Sequence, residues 1–368
     1  MIGNYIATGS YNSTLLCRSH IRWRMAMTEQ MKRWSMNAIG RDRLVFEQVP
    51  KPRPAPGEIL VKVTAVSLNY RDKLVIETGF GQPLAFPFTP ASDMAGVVDA
   101  VGEGSARFRP GDRVISTFIP GWIDGLNDGT ARVPPYRTLG GMRSGVLADY
   151  VAFPEDWFTL APVTLDDAAA STLPVAGLTA WFALVERGAP LAGKTVLVQG
   201  TGGVSLFGLQ IAKAAGARVI VTSGSADKLA RARELGADLG IDRSREDWVE
   251  ATHRLTGDRG ADHILEIAGG ANLGQSVQAA AMGGRISVIG VLEGIEVSAP
   301  VVPLMLKGLT VQGIGVGHRR AQEDLVRAVD ALGLEPVIDK RYGFAELPAA
   351  LDHLDRGAFG KIVIETAR

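Results

Sequence analysis

The chain has 368 residues, room for two domains at roughly 150 residues each. Its 39 Lys plus Arg balance 39 Asp plus Glu, and that zero net charge excludes the basic surplus required by a nucleic acid or an anionic membrane surface. Hydrophobic residues make up 46% and charged residues 21%, the mix of a globular chain with a large core, and the single cysteine, Cys17, rules out an intrachain disulfide or a cysteine-rich metal site and points to a reducing, cytoplasmic setting.

Residues 1–30 differ from the rest: Arg18, Arg22 and Arg24 precede the first acid, Glu29. Such a segment reads either as a transit peptide or as an upstream extension, since Met25, Met27 and Met31 can each begin a normal chain. The extension is the preferred reading, and 1–30 is set aside from the fold. Strand-like runs then follow at 43–46, 58–66 and 96–102, the first two separated by Pro50, Pro52, Pro54, Pro56 and Gly57, and 109–115 reads as a turn feeding a further strand. Short strands with Gly/Pro turns suggest a barrel-like or partly open β domain. Residues 168–185 carry no charge, but Ser171, Thr172, Pro174, Gly177 and Thr179 make the stretch too polar and too short for a membrane span. It reads as a buried helix-and-turn segment.

Strand and helix alternate after about residue 175. Strands are expected at 194–199, 218–222, 263–267, 285–289 and 309–312, with helices at 206–216 and 227–235. The tail carries a helix at 322–332 and a last strand at 361–365. Alternation of this kind makes the fold class α/β, with a doubly wound parallel sheet.

The strongest local signal lies where the first of these strands ends, in Gly200-Thr201-Gly202-Gly203-Val204-Ser205. Gly200 and Gly202 allow a tight turn and close approach of backbone to a diphosphate seated at a helix N-terminus. Ser205 stands where a third Gly is usual, and is small enough for close helix packing. An NAD site usually has an acid about 20 residues on, bonding the ribose 2′-hydroxyl. Here the second strand ends in Ser223-Gly224-Ser225, with Lys228 and Arg243 nearby. Hydroxyls and cations suit a 2′-phosphate, so the cofactor is expected to be NADPH.

These motifs, with Ala55-Pro56-Gly57-Glu58 and Pro110-Gly111-Asp112-Arg113-Val114 upstream and Leu235-Gly236-Ala237-Asp238 downstream, resemble those of the medium-chain dehydrogenase/reductases over about 31–368. The resemblance implies a GroES-like β-rich catalytic domain (31–174 and 316–368), a Rossmann NADP-binding domain (175–315), a cleft between them and a homodimer. It is nearest the zinc-free quinone oxidoreductase side, including an alcohol dehydrogenase-like branch with Asn69-Tyr70-Arg71-Asp72. Zinc-dependent members place Cys, His and Cys around the cleft; the matching positions are Asn69, Ser92 and Val175, and 31–250 contain neither Cys nor His. No metal site is expected. Along the cofactor the resemblance also implies Thr179, Ile289, Gly290, Val316, His318 and Arg319.

Without a Lewis acid, simple alcohol oxidation loses its main electrostatic support. Hydride addition to a quinone or an α,β-unsaturated carbonyl needs only one or two hydrogen-bond donors for the developing oxyanion. Tyr70 is the candidate proton donor, Asn69 a candidate for holding substrate or the nicotinamide ribose, and Asp72 an anchor for its loop. The segment 117–125, aromatic and Gly-rich, either lines the pocket or covers the β domain. Two alternatives stay open: a zinc-free alcohol or aldehyde oxidoreductase, and an NADPH-binding protein with little catalysis.

Overall fold

The computed structural model of the chain describes residues 29–367. The expected extension therefore lies outside the described residues, except that Glu29 and Gln30 belong to the fold: Glu29 O accepts from Lys51 N at 2.7 Å and the first strand opens at Gln30.

Strands β1 (Gln30–Met36) and β2 (Leu44–Pro50) form an antiparallel ribbon. A larger sheet follows, built on the long strand β3 (Glu58–Leu68) with β4 (Asp93–Val101), β5 (Arg113–Ser116), β6 (Tyr150–Pro154) and β7 (Phe158–Leu160). Register shifts in the β3–β4 pair, between Leu60 and Val61 and again between Val63 and Ala65, curl this sheet as bulges do. Its concave side encloses Trp34, Met36, Ile59, Phe88, Leu147 and Phe158. Helix α1 (Tyr70–Thr78) leaves the end of β3; sequence periodicity misses it because only Val75 and Ile76 among its apolar residues are buried.

The uncharged segment is helical and buried, as expected: α2 (Asp167–Ala170) and α3 (Leu178–Trp181) are joined by a wider turn at Leu173–Gly177 and followed by another at Phe182–Glu186. Beyond it lies a six-stranded parallel sheet of β8 (Thr195–Gln199), β9 (Arg218–Ser223), β10 (Leu239–Asp242), β11 (Ala261–Glu266), β12 (Ala280–Val288) and β13 (Thr310–Gly313). Their order is β10-β9-β8-β11-β12-β13, the doubly wound arrangement. Helices α4 (Gly203–Ala214), α5 (Ala226–Glu234), α6 (Trp248–Thr256), α7 (Asn272–Ala279) and α8 (Val301–Leu306) connect these strands. Alternate residues of β8 serve opposite faces, Val196 and Val198 packing with Leu206, Phe207 and Leu325, and Leu197 with Ile220, Ile264 and Val277. Both faces are thus covered, as a parallel sheet requires.

Helix α9 (Arg319–Leu332) then packs on α3 and β7, and β14 (Ile338–Gly343), α10 (Leu347–Asp355) and β15 (Lys361–Glu365) return to the first sheet, where β15 pairs with β3. Two expected helices start a turn too late in the sequence reading. α4 begins at Gly203, because the glycines that lower helix propensity there form its first turn; α9 begins at Arg319, because His318 caps it. Among the described residues no helix is long and apolar enough to cross a membrane.

Candidate active site

A cleft of about 1010 Å³ opens between the two sheets, at the carboxyl ends of the parallel strands. Gln199 ends β8, Ser223 ends β9, Ile267 follows β11 and Ile289 follows β12, and all four line it. A crevice at the point where strand order reverses is where doubly wound sheets bind ligands.

The glycine loop forms one wall. Gly200 has φ +72°, a conformation costly to any side chain, and a Cβ on Gly202 would stand in open space rather than against protein. Thr201, Gly203 and Val204 complete the wall, and no side chain caps the start of α4, so its first-turn N–H groups remain for an anionic ligand. Ser205 does more than keep a position small. Its Oγ donates to Gln199 O at 2.6 Å, tying the helix start to the strand end. The close helix–strand contact falls instead at Gly208, where a Cβ would come within 2.5 Å of Leu265 Cδ1. Beneath the loop, the fully buried Glu266 carboxylate accepts from Gln199 Nε2 (3.0 Å), Ala268 N (2.9 Å) and Asn272 Nδ2 (2.8 Å), fixing the turn after β11.

At one end of the cleft lie Ser223, Lys228 and Arg243. Ser223 Oγ accepts from Ser225 N at 3.2 Å, Lys228 Nζ donates to Gly357 O at 2.7 Å, and Arg243 Nη1 stands 4.0 Å from Glu293. β9 closes on a hydroxyl, with no carboxylate at its end.

Asn69, Tyr70 and Thr179 line the other end, among apolar Leu74, Phe80, Phe118 and Tyr136. Asn69 sits at the junction of β3 and α1; its N–H donates to Asp72 Oδ2 at 2.8 Å, so Asp72 anchors the turn that presents Tyr70. Arg71, given no role by the sequence beyond its place in the motif, lies over the Phe118 and Tyr136 rings and donates to Gly140 O at 3.1 Å and to Thr138 Oγ1.

Lys361, the first residue of β15, is assigned no role by the sequence. It is buried in the cleft wall, its Nζ donating to Asn69 Oδ1 at 2.5 Å and to Leu68 O at 2.6 Å. Burial pulls its ammonium below the ordinary value, opposed by the charges of Asp93 and Asp72. Burial likewise pushes Asp93 up, opposed by Lys361, and pushes Asp72 up to about 7, with the Asp93 charge adding to the rise. Ser92 Oγ donates to Asp93 Oδ1 at 2.6 Å, and Val175 N to Asp93 Oδ2 at 3.1 Å. Among the described residues no three His, Cys, Asp or Glu side chains are grouped as metal ligands.

Of the residues implied along the cofactor, Ile289, Gly290 and Val316 reach the cleft. Gly290 is required by packing, since a Cβ there would lie 1.9 Å from Ile267 O. Val316 has φ +70°, an outlying conformation for a β-branched residue. His318 and Arg319 do not line the cleft. His318 is buried against Trp122 and Phe182, and its Nδ1 accepts from Ala321 N at 3.0 Å to cap α9. Arg319 pairs with Asp156 at 2.5 Å, outside the cleft. The segment at 117–125 divides: Phe118 reaches the cleft, whereas Trp122 O accepts from Arg319 N at 2.9 Å and covers the start of α9.

Comparison with known proteins agrees with this geometry. The alcohol dehydrogenase GroES-like domain model matches residues 55–163, and the zinc-binding dehydrogenase model matches 203–332. A zinc-type alcohol dehydrogenase-like protein of Schizosaccharomyces pombe is 36% identical over 335 residues, 89% of this chain and 96% of that protein. The chain belongs to the medium-chain dehydrogenase/reductase superfamily. Within this superfamily, the quinone oxidoreductase of Sus scrofa is 28% identical, spanning 85% of this chain and 90% of its own. A crystal structure of a Sinorhizobium meliloti 1021 protein, provisionally called an alcohol dehydrogenase, superposes with a TM-score of 0.90 at 66% identity, covering 92% of this chain and 100% of that one. The superfamily makes this chain an NAD(P)-dependent oxidoreductase, and its fold is the GroES-like domain joined to a Rossmann-like parallel sheet.

Proposed function

We propose that the protein is a zinc-independent reductase that uses NADPH to deliver hydride to a quinone or an α,β-unsaturated carbonyl. The observation that carries this reading is the donor set at the substrate end of the cleft. Of the three positions that hold metal in zinc-dependent members, Val175 offers no donor atom, Ser92 Oγ is engaged with Asp93, and the Asn69 oxygen is taken by the Lys361 ammonium. None of the three is a good zinc ligand, and a lysine ammonium already seated on the Asn69 oxygen does not fit a zinc ion beside it.

When bound, NADPH supplies the hydride. The glycine loop and the start of α4 hold its diphosphate, while Ser223, Lys228 and Arg243 surround the 2′-phosphate where an NAD enzyme would carry a carboxylate. Thr179 and Val316 confine the nicotinamide. The aromatic wall of Phe80, Phe118 and Tyr136 excludes water from a flat, conjugated substrate, and the Tyr70 hydroxyl supplies the proton that completes reduction. The likeness to a mammalian quinone oxidoreductase supports the reaction class. The test is NADPH oxidation by chelator-treated enzyme across quinones, enones, enoyl thioesters and aldehydes, with NADH in parallel. Turnover confined to alcohols or aldehydes, the reading favoured by the name of the Sinorhizobium relative, overturns the proposal, as does equal use of NADH.

We also propose that the chain is a homodimer joined at the free edge of the parallel sheet. Val301, Val302, Met305 and Leu306 of α8 are each more than half exposed, and they flank edge strand β13. Contiguous exposed apolar surface beside unpaired backbone groups suits a second copy of the same edge. Light scattering should give twice the chain mass, and a monomeric mass for Met305→Glu.

A further inference from the structure

Lys361 ties the two halves of the cleft together. The residue before it, Gly360, donates its N–H to Thr201 O at 2.9 Å. Its own stem lies beneath the dinucleotide loop, so that a Cβ on Gly203 would come within 2.5 Å of Lys361 Cδ. Its Nζ reaches across to Asn69 and Leu68, and the residue is only 4% exposed. The positive charge therefore lies between the loop that takes the cofactor and the Asn69–Tyr70 end that takes the substrate.

An ammonium has three N–H donors. Two are spent on neutral carbonyl oxygens, and among the described residues no carboxylate lies within ion-pair distance of Nζ; Asp93 and Asp72 act on it through space. Burying such a charge is costly, and a methionine stem would pack against Gly203 equally well. A charge retained at that cost, with a donor to spare, in the wall of a reductase cleft, is placed to act on an oxyanion.

We propose that Lys361 is a catalytic residue whose third N–H hydrogen-bonds the substrate oxygen on which negative charge gathers as hydride arrives. The proposal rests on the reductase reading above. In an enone, hydride adds to the β-carbon, the C=C electron pair moves to form the enolate, and the carbonyl oxygen takes the charge. Lys361 stabilises that oxygen and is not consumed, and a proton then reaches the α-carbon. The sum is enone, NADPH and a proton giving saturated ketone and NADP⁺. A fixed donor aimed at such an oxygen in a water-poor site acts mainly on the transition state.

The test compares the full-length enzyme with Lys361→Met and with Lys361→Arg, which keeps the charge. The probe is 4-nitrophenolate, a stable oxyanion titrated by its absorbance in the presence of NADP⁺; NADPH affinity is measured separately. Lys361→Met should weaken phenolate binding by about tenfold or more while leaving the NADPH Kd within about twofold. Its kcat for quinone or enone reduction should fall by about 10²-fold. Lys361→Arg should bind phenolate more tightly than Lys361→Met. Equal phenolate affinity in all three proteins overturns the proposal. So does an NADPH Kd that rises in step with the fall in kcat, because the charge would then serve the diphosphate. If Lys361→Met gives no cooperative melt, Lys361→Gln replaces it in the comparison with Lys361→Arg. A wild-type enzyme that turns over no quinone or enone defeats the reductase reading, and the phenolate titration still decides the role of Lys361.

Discussion

Truncating Arg243 to alanine should weaken NADPH binding and leave NADH binding unchanged. Arg243 N donates to Ser223 O at 3.0 Å, which fixes its backbone beside the end of β9, and its Nε lies 3.8 Å from where a Cβ on Gly224 would sit. The guanidinium thus overhangs the Ser223–Gly224 turn where a 2′-phosphate would rest. A hydrogen bond to a charged group contributes about 1.5–3 kcal/mol. The side chain is 56% exposed and Glu293 competes for it at 4.0 Å, so the contribution falls at the low end of that range. About 1.5 kcal/mol corresponds to roughly a tenfold rise in the NADPH Kd. The salt dependence of NADPH binding should also become shallower, because one exposed charge pair has gone. Fluorescence titration of both cofactors at two ionic strengths measures these effects. A loss below about twofold, or an equal loss for NADH, would refute the assignment of Arg243 to the 2′-phosphate.

Tyr70→Phe should lower kcat by about 10²-fold with little change in NADPH affinity, since it removes a proton donor and keeps the ring; unchanged steady-state turnover excludes Tyr70 as that donor. Asp72 gives the fold a pH dependence of definite sign. Its carboxyl is pushed up to about 7 from an ordinary 3.8, so between these values the folded chain holds a proton that the unfolded chain has lost. The stability this contributes is fully present below pH 3.8 and is lost as pH rises through 7, on a scale of about 4 kcal/mol. Urea unfolding should show Asp72→Asn flattening that decline, and a wild-type curve no steeper than the variant's would count against it. Gly290→Ala drives a Cβ to within 1.9 Å of the Ile267 carbonyl and should destabilise the protein by about 3 kcal/mol or more; a melting temperature equal to wild type would contradict so close a backbone contact.

Much of this molecule is legible in its sequence, for identifiable physical reasons. The parallel strands announce themselves because both their faces are covered, and Val196, Leu197 and Val198 read as one unbroken apolar run. The glycine loop is legible because its chemistry depends on backbone, and Gly200 at φ +72° leaves a mark no other residue can replace. Function built from long-range side-chain contacts leaves no such mark. Lys361 is 292 positions from Asn69, and in the sequence it is only a charge at the head of an apolar strand. That charge at the start of a buried run is the sole signal of its role. His318 shows the converse, a sequence signal that local structure accounts for. A histidine in the glycine-rich stretch between β13 and α9 resembles a site residue, yet it is held by Ala321 N, Trp122 and Phe182 as a helix cap. Arg71 reads in the sequence only as part of a motif, although its hydrogen bonds to Thr138 and Gly140 hold the aromatic wall in place.

The central claim is that hydride from NADPH goes to conjugated carbon without a metal, and label transfer tests it most directly. Chelator-treated enzyme is supplied with NADPH carrying deuterium at C4 of the nicotinamide, in each stereochemical form, and with a cyclic enone; the product is then read by NMR. The claim requires a saturated ketone with deuterium on the carbon β to the carbonyl. Deuterium on a carbinol carbon, or transfer that begins only when zinc is restored, would contradict it.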